Sequence, residues 1–115
     1  MIDDYKPITI ADVAKALYPL KDIERPDADN AGDSINAPDV YDYLDENNQE
    51  KIDNARNITR QYIEQSGNRA IRELNKHGYN TSYGPDQYEP DRNSGQVQIG
   101  EWELDISDES PYSDD

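Results

Sequence analysis

One stretch constrains the fold of this chain more than any other: Ile52 to Leu74, reading IDNARNITRQYIEQSGNRAIREL. Ile52, Ala55, Thr59, Tyr62 and Ile63 recur at spacings of three and four, with Ile58 at the margin. Such spacing places side chains on one buried face of a helix. It predicts a long helix ending near Gln65, with Asn47 or Asn48 as its cap and Glu50 in its first turn. Ser66-Gly67 reads as a stop. Asn68 can cap a short further helix through Ala70, Ile71 and Leu74, closed by His77 and Gly78.

Upstream, residues 1 to 8 form an extended lead. Thr9 and Asp12 fit a capping box. Ile10, Val13, Ala14 and Leu17 share a face, and Pro19 ends the helix, which spans about 10–18. Residues 21–37 read as a polar loop with few apolar anchors. Pro38 opens a helix to about residue 45, carrying Val40, Tyr43 and Leu44, which can fuse with the next one. Residues 79–95 are rich in turn formers and tyrosine. The period then changes from 3.6 to 2, with Val97 and Ile99 alternating in one run and Trp102, Leu104 and Ile106 in the next. Gly100 marks the slip in phase, as a bulge or tight hairpin. Residues 107–115 form an acidic, flexible tail. The expected class is mainly α with a small C-terminal β element: three to four helices, then a strand or hairpin, in one domain over residues 1–115.

The core must be small. Val, Ile and Leu total 19 of 115 residues, there is no Phe, and the formal net charge is −15. That total is below the level of about one-fifth at which high net charge starts to predict disorder. Nine Tyr and one Trp compensate in part. Trp102 is expected in the core, and at least one of Tyr79, Tyr83 and Tyr88 on a contact surface. A lone subunit of this composition is expected to be marginal, which favours partners. The absence of Cys excludes disulfides and cysteine-based zinc sites. No apolar run approaches the roughly 18 residues that span a membrane. The start, MIDDYKP, lacks a signal-peptide core, so a soluble chain without a leader or membrane partner is expected. The acidity argues against binding nucleic acid by phosphate neutralisation, while permitting a surface that repels or imitates DNA.

Few residues suggest chemistry. Asp27 to Asp33 resembles the opening of an EF-hand loop, but Ala31 and Pro38 stand where oxygen ligands are needed, so an acidic surface loop is the simpler reading. His77, the one histidine, suits a helix terminus. No nucleophilic triad, inferable carboxylate dyad or phosphate-binding glycine loop emerges. No catalytic, metal or cofactor site is therefore assigned, and an enzyme is the least favoured class.

The patterned set is basic. Between Lys51 and Gly78, six cations face three anions, inside a chain that is otherwise acidic. Arg56 and Arg60 lie four apart, as do Arg72 and Lys76, and Arg69 lies between the two pairs. Two readings stay open: a solvated face paired internally with Asp53, Glu64 and Glu73, or a seat for carboxylates of an adjacent subunit. Asp105, Asp108, Glu109 and Asp114 are the candidate acidic counterpart, with Tyr83 and Tyr88 as further contacts.

Ile8-Thr9-Ile10-Ala11-Asp12-Val13-Ala14-Lys15-Ala16-Leu17, followed after an acidic loop by Ala55-Arg56 and by Tyr62-Ile63-Glu64-Gln65-Ser66-Gly67-Asn68-Arg69-Ala70-Ile71, resembles the head–tail connector (adaptor) proteins of tailed bacteriophages. The resemblance covers about residues 8–72. It implies a non-enzymatic virion component without cofactor, made in the host cytoplasm. Such a subunit would form a homo-oligomeric ring at the portal, touch portal and tail or neck proteins, and line a channel that DNA passes without specific binding. A wall that repels phosphate suits that task, and a cyclic ring needs two complementary surfaces per subunit. The competing class is an acidic DNA mimic that inhibits a host defence protein, of anti-restriction or anti-CRISPR type. The basic segment counts against it. A calcium-binding regulatory domain would rest on Asp27 to Asp33 alone.

Overall fold

The computed structural model describes residues 7–27 and 32–108. The first helix, α1 (Ile10–Leu17), opens on the expected box. The Asp12 amide donates to Thr9 Oγ1 at 3.2 Å, and the Thr9 amide donates to Asp12 Oδ2 at 2.9 Å. The α-helix ends at Leu17, as expected of a helix followed by Pro19. Pro19 itself sits in the first turn of a 3-10 segment, Tyr18–Asp22, where its missing N–H leaves no bond unmade. That segment buries Leu20 and delivers Ile23 to the core.

The second helix, α2, is a single turn (Pro38–Tyr41), shorter than the expected 38–45 and separate from α3 (Glu46–Ser66). Two side chains account for the break. Asp45, rather than Asn47 or Asn48, caps α3 by accepting the Asn48 amide at 2.9 Å. Gln49 donates its carboxamide to the Tyr41 carbonyl at 2.8 Å, satisfying the end of α2. The buried face of α3 is the predicted one: Ile52, Ala55, Thr59, Tyr62 and Ile63.

Gly67 ends α3 and begins α4 (Asn68–Lys76) with φ 57° and ψ −135°, a conformation open to glycine and costly for other residues. Its N–H donates to Ile63 O at 2.7 Å, and its carbonyl accepts from Ala70 N at 3.0 Å. Asn68 is thus the first residue of α4 and not its cap. His77 closes α4 as expected.

Three antiparallel strands follow as a meander: β1 (Thr81–Pro85), β2 (Asn93–Ile99) and β3 (Trp102–Asp105). The strand β1 lies inside the segment read as turn-rich. Its Gly84 and Pro85 are poor strand formers, and only Thr81 and Tyr83 face inward. Register pairs Thr81 with Val97 and Val97 with Leu104. Gly100, at φ 61°, starts the two-residue turn from Ile99 to Trp102. Beyond β3, Ser34 forms a parallel bridge to Glu103. The loop 21–37 therefore does more than connect, since Ile23, Ile35 and Ala37 are buried.

One face of the sheet packs Val97, Ile99, Trp102, Leu104 and Ile106 into a single cluster with Val13, Leu17, Ile52, Ala55, Ile63 and Leu74 from the helices. Trp102 is in that core, as expected. Its indole donates to Ile23 O at 2.9 Å, and the Arg25 guanidinium stacks 4.6 Å from the ring centroid. The opposite face, with Ser82, Gln96 and Gln98, is open to solvent. No helix among the described residues is long and apolar enough to cross a membrane.

Candidate functional site

Arg56 and Arg60 stand one turn apart on α3 and both reach the segment that leaves β3. Arg56 donates to Asp105 O at 3.2 Å and to Ser107 O at 2.5 Å. Arg60 pairs with Asp108 Oδ1 at 3.1 Å and with Glu64 at 3.5 Å. Asp108 is the hub of this cluster. It also accepts the Tyr83 hydroxyl, and its other oxygen accepts Asn93 N at 2.9 Å. The Tyr83 hydroxyl first, then the Asn93 amide and the Arg60 charge, hold the Asp108 carboxyl below its ordinary range against the opposing effect of burial. Burial first, and then Asp108, pushes Tyr83 up. Burial and the neighbouring Arg60 charge lower Arg56.

Five of the ten sequence-predicted interface residues thus meet inside one chain: Arg56, Arg60, Tyr83, Asp105 and Asp108. Both acid and base come from the same chain, with Glu64 as one of the internal partners weighed above. Arg69, Arg72 and Lys76 stand apart and exposed on α4. Lys76 approaches Glu73 at 4.0 Å. Tyr88 is 84% exposed at the tip of the β1–β2 connection, where Asp86 accepts the Tyr88 and Glu89 amides. Glu109, Asp114 and most of the EF-hand-like run (residues 28–31) lie outside the described residues. Of that run's ends, Asp33 pairs with Arg25 at 3.1 Å.

Two asparagines complete the cluster. Gln98 N donates to Asn80 O and Asp86 N to Arg92 O, so the even-numbered residues of β1 turn their backbone groups toward β2 and the odd-numbered ones outward. On that outer edge, Asn75 of α4 accepts Thr81 N at 2.7 Å and donates to Thr81 O at 3.4 Å. On the outer edge of β3, Asn36 accepts Asp105 N at 3.0 Å and donates to Asp105 O at 2.9 Å. Each carboxamide takes the place of a neighbouring strand's peptide group. Pro85, which has no N–H, closes the far end of β1. Neither asparagine is legible in the sequence, because a lone Asn between Ile35 and Ala37 or between Leu74 and Lys76 carries no signal of the strand edge it will meet.

A cleft of about 460 Å³ opens beside this cluster, where the α3–α4 bend meets the sheet; Arg60, Ile63, Gly67, Asn68, Ile71 and Tyr83 are among its walls. Among the described residues no group of three His, Asp or Glu side chains is placed to hold a metal ion. His77 Nδ1 lies 3.0 Å from Glu73 O in the last turn of α4. No family model, curated protein or solved structure matches the chain.

Proposed function

We propose that the chain is a non-enzymatic subunit of a head–tail connector ring in a tailed-phage virion. The single observation that carries this reading is the meeting of its two motif-bearing segments. Residues 8–17 and 55–72 are distant in sequence, yet α1 packs on α3 and α4. Gln65 also clamps the lead into α1, donating to Ile8 O at 2.8 Å and accepting Ile8 N at 2.9 Å. The motifs shared with connectors therefore belong to one packed unit.

Charge placement supports assembly with copies of the chain. Exposed Asp42, Asp45, Glu46 and Glu50 gather where α2 meets the start of α3. Exposed Arg69 and Lys76, seven apart on α4, lie beyond the other end of the 21-residue α3. A helix of that length separates the two ends by roughly 30 Å. Opposite charge at opposite ends suits a head-to-tail contact, the kind that closes a ring. The acidic flank replaces Asp105 and Asp108 as the counterpart, because those carboxylates already serve their own chain. The portal protein and tail or neck proteins would be its neighbours in the virion, and the net charge of −15 would let DNA pass without adhering.

Electron microscopy and sedimentation of the chain with portal protein test the proposal. Rings are expected with the wild-type chain, and the exposed double variant R69E/K76E should stay folded and fail to form them. A monomer that ignores portal protein and instead displaces DNA from a host nuclease would replace the connector by the mimic.

A further inference from the structure

Among the described residues the large apolar side chains left strongly exposed are Tyr18, Tyr43 and Tyr88. Two of them have local company. The Lys21 ammonium sits 4.0 Å from the centre of the Tyr18 ring. Tyr88 lies in a tight turn beside the Glu89–Arg92 ion pair. Tyr43 is 67% exposed at the corner between α2 and α3, with neither a stacked cation nor a side-chain hydrogen bond among the described residues. The exposed carboxylates of Asp42, Asp45 and Glu46 flank it.

The cleft at the α3–α4 bend offers the complement. Its apolar walls are Ile63, the half-buried Ile71 and Tyr83. Gly67 leaves it clear, with no atom within 4 Å of where a side chain would begin. Arg69, Arg72 and Lys76 run beside it along α4 at spacings of three and four, all exposed. Arg69 and Arg72 make no ion pair among the described residues. The carboxylates in the walls, Glu64 and Asp108, are both held by Arg60.

We infer that this cleft receives Tyr43 of a second copy of the chain. The incoming ring lies against Ile63 and Ile71, and Asn68 in the wall offers its carboxamide to the phenol hydroxyl. Asp42 and Glu46 of the incoming copy meet Arg69 and Arg72, whose planar forks suit carboxylates. Tyr43 cannot fill the cleft of its own chain, because roughly 25 Å of straight helix lies between Glu46 and Ile63. Tyrosine and cleft are different surfaces, so each copy offers one and fills the other, which is a head-to-tail contact. The inference rests on the head-to-tail placement of charge proposed above and names the anchor of that contact. Such an anchor is needed, since exposed ion pairs alone contribute little and a buried aromatic concentrates affinity.

Photocrosslinking of the full chain tests the contact. An isotopically labelled copy carrying p-benzoylphenylalanine in place of Tyr43 is mixed with unlabelled wild-type chain, alone and with portal protein. Irradiation should join position 43 of the labelled copy to residues between Ile63 and Ile71 of the unlabelled one, with a yield that rises with concentration. Y43A, whose fold is checked by circular dichroism, should weaken self-association in sedimentation by roughly tenfold or more, the range of one buried aromatic anchor. Y43F should keep most of it. Crosslinks outside the cleft or within one chain overturn the inference, as do chains that stay single under both conditions or association untouched by Y43A. Chains that join through the cleft yet form no ring with portal protein keep the contact and remove the connector reading. Rings whose crosslinks miss the cleft do the reverse.

Discussion

At the scale of single residues, Asp108 links more of the molecule than any other carboxylate in the cluster. It joins β1 through Tyr83, β2 through Asn93 and α3 through Arg60. Its folded-state pKa is depressed, so its stabilising effect is complete above the unfolded value of about 3.9 and is lost as pH falls through the lower folded value. D108N should lower stability at pH 7 by about 1–2 kcal/mol and flatten the acid limb below that range. Urea midpoints at pH 7 and pH 3 measure both effects, and equal acid limbs in the two proteins would refute the hub role. Thr59 poses the opposite case. It is fully buried on α3, and its hydroxyl has no hydrogen-bond partner among the described residues. T59V keeps the shape and removes the stranded group, so the denaturation midpoint should rise by the equivalent of about 1 kcal/mol. A fall of that size would mean that the hydroxyl finds a partner in solution. The sequence placed Thr59 on the buried stripe, because spacing reports position. It could not report whether the hydroxyl would be satisfied, since that depends on elements folded over it.

Among elements, the helices were legible and the first strand was not. Helix faces declare themselves by period, and the stripe on α3 names its own buried residues. Helix ends were less legible, because Asp45 and Gly67 won as caps over adjacent Asn residues that also qualify. The strand β1 offers only two inward side chains, and its neighbour β2 starts with Asn93, Ser94 and Gly95, which resemble a loop. Gly95 shows why that resemblance arises. A Cβ there would lie 2.1 Å from Ser82 O and 2.7 Å from Tyr83 Cα, so β1 passes too close for any side chain. G95A should cost at least about 1–3 kcal/mol by forcing the two strands apart, with hydrogen exchange accelerated first at Ser82 and Gly84. Unchanged protection in β1 would show that the strands separate at little cost. In the candidate site the basic residues could be found by charge alone. Their partners could not, because contacts such as Arg56 to Ser107 depend on where the sheet docks.

For the whole molecule, electrostatics divides into an inner and an outer set. Arg56 and Arg60 hold the end of the sheet on α3, while Arg69 and Lys76 face outward on α4. Charge reversal should separate the two sets. R56E/R60E places two carboxylates beside Asp105 and Asp108 and is expected to lower stability by about 2–4 kcal/mol, visible as an earlier thermal transition. A double variant that melts like the wild type would transfer those arginines back to the outer set. The split was legible in the sequence as a basic segment in an acidic chain, and its division into two roles was not. Residues one turn apart look alike until the element they face is in place.

The two asparagine carboxamides have a consequence beyond the single chain. Among the described residues, a meander with both margins stoppered offers a poor template on which further strands can grow, so concentrated solutions of this protein should stay free of amyloid. N36A/N75A removes both carboxamides, at about 1 kcal/mol each, and takes from the Thr81 N–H and C=O and from the Asp105 N–H the partners they have on these margins. Thioflavin fluorescence on prolonged incubation should then rise for the double variant and stay flat for the parent. The same fluorescence in both would mean that the polymerising surface lies elsewhere.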